Sequence, residues 1–231
     1  MSRTAVFARE QLRAPLTLVL LVSVPALFVV AAADALSDFA GALGGDLAGD
    51  AAVALSAGWA AAFVSGSLGF FQAASSRGAD RRLALAGLGP ARVAVSRITA
   101  SLLLATLASA TAFATLIVKT DLAHPWHAAV AIWGFALLYL SIGVLVGSLV
   151  RAPLEGSLLV VFVFLLDAFA GPGMTESVPP WAISQKAADI LIAAGLGASS
   201  PSGDWVKLAL VTGGALLAAL VVFVAAARSR A

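Results

Sequence analysis

Six stretches of this chain stay apolar long enough to cross a bilayer, and that limits the fold more than any other feature. A membrane helix needs about 20 mostly apolar residues. Such runs lie near 16–33, 51–74, 98–118, 128–150, 156–170 and 207–227. The fifth is short: about 15 residues at ~1.5 Å each give roughly 22 Å, against a hydrocarbon core of ~30 Å. The first has an arginine-bearing start like a signal peptide. Its apolar run is too long for one, however, and no small-residue cleavage site precedes Asp34, so it is read as a span. Of 231 residues, 61% are hydrophobic and 11% charged, where a soluble domain carries about 25% charged. A water-soluble globule and a disordered chain are excluded, and a net charge of only +2 argues against a nucleic-acid binder. With no cysteine, thiol catalysis, disulfides and cysteine-ligated metals are excluded too. The sequence predicts one all-α polytopic membrane domain over 1–231, with no inverted repeat.

Charge placement predicts its orientation. Segments 1–15, 75–97, 151–155 and 228–231 share one side. They carry eleven of the 14 basic residues, all arginine, against three acids. The other side holds Lys119, Lys186 and Lys207 against eight acids. By the excess of basic residues both termini are expected in the cytoplasm, which an even number of spans also requires.

Three pieces outside the spans have a character of their own. Residues 2–14 alternate Val6, Phe7 and Leu12 with Arg3, Arg9, Glu10 and Arg13 at roughly helical spacing, and end at Pro15. This predicts an amphipathic helix lying on the cytoplasmic surface. Residues 75–97 form the largest cytoplasmic loop, with five arginines. A short helix from Gly78 to about Ala86 is expected in the 78–88 stretch, which is polar at Asp80, Arg81 and Arg82 and apolar at Leu83, Leu85 and Leu88, with Gly87, Gly89 and Pro90 breaking it. A mere connection needs about 2–8 residues, so this loop reads as a docking surface. The outer segment 171–206 contains Gly171-Pro172-Gly173 and Pro179-Pro180-Trp181, then an apolar run from Ala187 to Ala198. That run is too short to span and suits a re-entrant or interfacial helix following the short fifth span.

The inventory for catalysis is thin. His124 and His127 flank Trp126 in an outer loop, with no acid placed to complete a metal site. They read as part of an interfacial aromatic belt. No phosphate-binding loop of the G-x-x-x-x-G-K-[ST] type is present: the only Lys followed by Ser or Thr is Lys119-Thr120, preceded by Val118. ATP hydrolysis by that route is therefore not expected of this chain. Asp167 is the one acid within an apolar run. It is a candidate for a role in the pathway or its gating, or for helix pairing near the outer interface. Gly143 and Gly147 in the fourth run, and Ser65, Gly66 and Gly69 in the second, permit close helix approach.

The order of these pieces resembles the permease subunit of type-2 ATP-binding-cassette exporters. In that family an amphipathic basic helix leads into the first span through a proline step, as Phe7 to Pro15 do here. A loop between spans two and three has a charged start, a leucine-bearing helix, then a proline and a basic residue. Here those are Asp80, Arg81, Arg82, Leu83, Leu85, Leu88, Pro90 and Arg92. A Gly/Pro break after span five and a Pro-Trp step precede a re-entrant outer helix, as at Gly171, Pro172, Pro179, Pro180 and Trp181. The chain departs from the family's Gly-Thr-Leu-Glu-like run, having Asp80-Arg81-Arg82-Leu83-Ala84.

The resemblance implies that the 78–88 helix seats in a groove of a separate cytoplasmic P-loop ATPase, which carries the ATP and magnesium, this chain binding no cofactor or metal itself. It implies an interfacial helix bearing Arg3, Phe7, Arg9 and Arg13, a location in the cell (cytoplasmic or inner) membrane, and a second permease copy to complete the pathway. A secondary carrier or channel working without ATP, or a membrane scaffold or immunity protein, is the alternative. The lone intramembrane acid and the missing repeat count against the carrier.

Overall fold

Proline opens four of the seven described helices, since a residue without an N–H sacrifices nothing in a first turn whose amides have no helical partner. These are α1 (Pro15–Ala42), α3 (Pro90–Lys119), α4 (Pro125–Leu149) and α5 (Pro153–Ala170). The others are α2 (Gly49–Ser75), α6 (Gln185–Gly195) and α7 (Ser202–Arg228). The structure is a computed structural model describing residues 15–47, 49–75, 90–150, 152–175, 178–179 and 182–228. The helices expected over 2–14 and 78–88 lie outside the described residues. Each of the six apolar runs is a helix long and apolar enough to cross a membrane. No strand occurs among the described residues; extended backbone pairs there only at a bridge between Gly44 and Thr175.

Three helix ends run well beyond the expected span ends, because apolarity marks lipid contact while helical hydrogen bonding continues past it. α1 runs on to Ala42, past the expected end at 33, and its extra turns expose Asp34 and Asp38. α7 begins at Ser202, ahead of the expected 207. It takes in Asp204 in its first turn, where the amide end of a helix favours an acid. α3 begins at Pro90, ahead of 98. The expected loop over 75–97 is thereby shortened, and Arg92 and Arg97 belong to α3 itself.

α2 and α4 make the centre of the bundle, with 72% and 67% of their apolar windows buried, against 22% for α1 and 17% for α7. Glycine carries this crossing. A Cβ at Gly143 would overlap the Gly66 carbonyl, and one at Gly69 would overlap that of Leu140. At Gly147 a Cβ would come within 2.6 Å of the Phe70 carbonyl. Gly66 and Gly143, singled out in the second and fourth runs, therefore meet, while Gly69 faces Leu140 and Gly147 faces Phe70 and Ala73. Such backbone approach lets dispersion forces act where lipid offers no hydrophobic gain for association. The hydroxyls of Ser101, Ser109, Ser141 and Ser148 are buried, and each donates to the carbonyl four residues earlier. Those protons satisfy their own helices and offer no free donor to a passing substrate.

Candidate functional site

The carboxylate of Asp167, only 2% exposed, gathers donors from two other parts of the chain. The Tyr139 hydroxyl of α4 donates to Oδ2 at 2.6 Å. The Ile183 amide donates to Oδ1 at 2.6 Å, and the Ser184 amide reaches both oxygens at 3.3 and 3.2 Å. Ser184 is the N-cap residue of α6, yet its side chain makes no capping bond. Asp167, reaching over from α5, supplies an acceptor at that end and sets its negative charge at the positive pole of the α6 dipole. Each charge-assisted bond contributes about 1.5–3 kcal/mol, and a buried carboxylate without such partners is strongly disfavoured. The Tyr139 ring is fixed in turn by Phe164, edge-on at a centroid distance of 5.7 Å.

A role in the pathway or its gating and one in helix pairing were the readings open for this acid. The structure bonds it to another helix, at Tyr139, fourteen residues into α4 and so roughly 21 Å along that helix from Pro125. α5 ends at Ala170, one turn beyond Asp167, and the chain reverses through Gly171 to Thr175. Gly173 supplies the left-handed conformation there, with φ +80.

From the Asp167 site α6 runs back along the bundle. Leu191 and Phe135 of α4 both pack where Gly58 of α2 leaves room: a Cβ at Gly58 would lie 2.7 Å from both side chains. Gly195 lies against the Asp50 carbonyl and Ala51, at the start of α2. Gly58 stands nine residues, about 13 Å, along α2 from Gly49. The helix therefore covers the distance from the middle of α4 to the start of α2. Its bonds to α7 are ionic. The Lys186 ammonium donates to Asp189 at 2.7 Å and pairs with Asp204 of α7 at 3.1 Å. The bond to Asp189 raises the lysine's pKa above its ordinary value, opposed by partial burial and helped by Asp204. The end of α1 and the loop after it close over the reversal, with Phe39 of α1 4.8 Å from Phe169 and Gly45 of the loop against the Gly173 and Met174 backbone.

His124 and His127 join an aromatic group where α4 and α7 begin. Trp126 stacks on Trp205 at 5.4 Å and 13°, and His127 lies 5.0 Å from Trp205. Trp126 is exposed, as suits a ring at a membrane interface. Among the described residues no three His, Cys, Asp or Glu side chains stand together as a metal set.

Of the residues expected at the ATPase contact, Pro90 is the first residue of α3 and Arg92 is exposed in its first turn. Asp80, Arg81, Arg82, Leu83, Leu85 and Leu88 lie outside the described residues, as do Arg3, Phe7, Arg9 and Arg13 of the expected interfacial helix. Tyr139 is the site residue that sequence reasoning missed. It is the chain's only tyrosine, and a buried phenol needs a partner for its hydroxyl, which pairs naturally with the lone buried acid.

Compared with protein-family models, with curated proteins and with solved structures, the chain finds no match.

Proposed function

We propose that this chain is the membrane permease subunit of an ATP-driven exporter of the type-2 class, working with a separate cytoplasmic ATPase. The observation that carries the reading is the broken fifth span: α5 ends at Ala170, beside the Asp167 site, and α6 returns from that site toward the start of α2. In this reading α6 is a re-entrant helix in the outer half of the membrane, its deep end held by protein bonds that lipid cannot provide. The arginine-rich segments face the cytoplasm, where both termini lie.

The mechanism follows from the placement of α3. It starts at Pro90, directly after the expected docking helix over 78–88, and continues for 30 residues alongside α1, α2 and α4. Closure of two ATPase subunits on bound ATP pushes the docking helix, and α3 carries that displacement as a rigid body into the bundle. The Asp167 bonds tie α5 and α6 to α4, so those three elements move as one piece or the bonds break. ATP and magnesium belong to the partner, and the chain itself is no enzyme. Six spans form half of such a pathway, and a second copy or a related permease completes it.

The test is charge reversal at Arg81 and Arg82. The double variant R81E/R82E should bind the ATPase at least about tenfold more weakly, which is ~1.4 kcal/mol. Unchanged binding would contradict the role given to that loop.

A further inference from the structure

α1 and α2 separate toward the arginine-rich side. Val29, Ala33 and Ala40 of α1 are buried in the main core. Nearer Pro15 and Ser75 the same two helices leave a groove of about 420 Å³ between them. Leu21 and Val64 form its floor, packed on Ala108 of α3 in a small cluster of their own. Leu20 and Phe71, both about half exposed, form its lips.

The lining changes character along its length. Val24 and Phe63 make one end apolar, Ser67 and Leu68 stand midway, and Gln72 and Ser75 bring polar side chains to the other, the Ser75 hydroxyl donating to the Phe71 carbonyl at 2.6 Å. Phe63 to Ser75 spans twelve residues, or roughly 18 Å of helix, close to one leaflet of a ~30 Å core. Just past Ser75 the sequence brings Arg77, Arg81 and Arg82, and eleven arginines belong to that side of the chain. The groove is therefore hydrocarbon-lined over about one leaflet's depth and polar at the end from which the sequence runs on to those arginines. Its volume lies within the usual range of ligand sites, about 300–1,000 Å³.

We propose that this groove binds one acyl chain of an anionic phospholipid drawn from the leaflet on the arginine-rich side. The tail lies between Leu21 and Val64, and the phosphate end lies near Ser75. Such a site goes beyond the transport reading and does not depend on it.

The test uses the full chain, reconstituted in vesicles of phosphatidylethanolamine and phosphatidylglycerol, then extracted in mild detergent, with retained lipid counted by mass spectrometry. Phosphatidylglycerol should stay with the protein, preferred about tenfold over phosphatidylethanolamine. Ser67→Trp fills the groove and should reduce retention about tenfold, while Leu158→Trp, on the exposed face of α5, should leave it unchanged. A gentler variant guards against misfolding. In this cysteine-free chain, added phosphatidylglycerol should protect Ser67→Cys from maleimide, with Leu158→Cys unaffected. Equal retention in wild type and Ser67→Trp, equal retention of the two lipids, or no protection of the cysteine would overturn the proposal.

Discussion

The Tyr139 hydroxyl meets the Asp167 carboxylate at 2.6 Å, joining the middle of α4 to the end of α5, while the same carboxylate holds the amide of Ile183 at 2.6 Å. One buried side chain thus fixes the relation of three elements: two apolar helices and the segment that leads into α6. Asp167→Ala leaves a phenol and two amides without an acceptor, and each unpaired group costs about 1–3 kcal/mol. Asp167→Asn keeps an oxygen for the amides and loses the charge. Tyr139→Phe leaves a carboxylate that still has both amides. Thermal unfolding in detergent should rank the losses with Asp167→Ala largest and Tyr139→Phe smallest, the last about 1–3 kcal/mol. An Asp167→Ala protein as stable as wild type would mean the bonds do not hold the three elements together.

Glycine at the α2–α4 crossing has a purpose that exposed glycine lacks. Gly143→Ala places a methyl on the Gly66 carbonyl and must push the two central helices apart. Overpacking of this kind costs about 1–3 kcal/mol, and more where backbone is the obstacle. Gly214→Ala in α7 meets nothing within 4 Å and should be neutral or stabilising by about 0.5–1 kcal/mol. Melting temperatures of the two variants, taken side by side, should move in opposite directions or differ by several degrees.

The Lys186 tether has a defined pH range. Its pKa in the folded protein is raised above the ordinary 10.5, chiefly by the bond to Asp189. A cation so favoured stabilises the fold fully below the unfolded value, and that contribution is lost as pH rises through the folded one. Both pairs are partly exposed, which limits the gain to about 0.2–1 kcal/mol. The stability difference between wild type and Lys186→Gln should stay level from neutral pH to about 10 and shrink above it. A difference that vanished near neutrality would place the tether on other groups.

The spans were legible in the sequence because a bilayer demands long apolar runs and little else mimics them. Helix ends were less so. Asp34 and Asp38 mark where α1 leaves the apolar run, but nothing local stops the helix before Ala42. Pro90 looked like a break in a loop and is instead the first residue of α3, a position where proline is well suited. Asp167 stood out as a lone acid, and its partners did not, because they depend on where α5 stops against α4. The bond to Tyr139 crosses 28 positions of sequence, and no periodicity reports such a contact. The glycines were visible as small residues; only the crossing of α2 and α4 shows that Gly66 and Gly143 meet.

The transport reading stands or falls on what accompanies the chain in its own membrane. A gentle-detergent pulldown of the tagged full chain from native membranes, followed by mass spectrometry, should recover a soluble P-loop ATPase in stoichiometric amount. Recovery of an intact, monodisperse chain with no such ATPase would contradict the reading and return the molecule to the carrier or scaffold class.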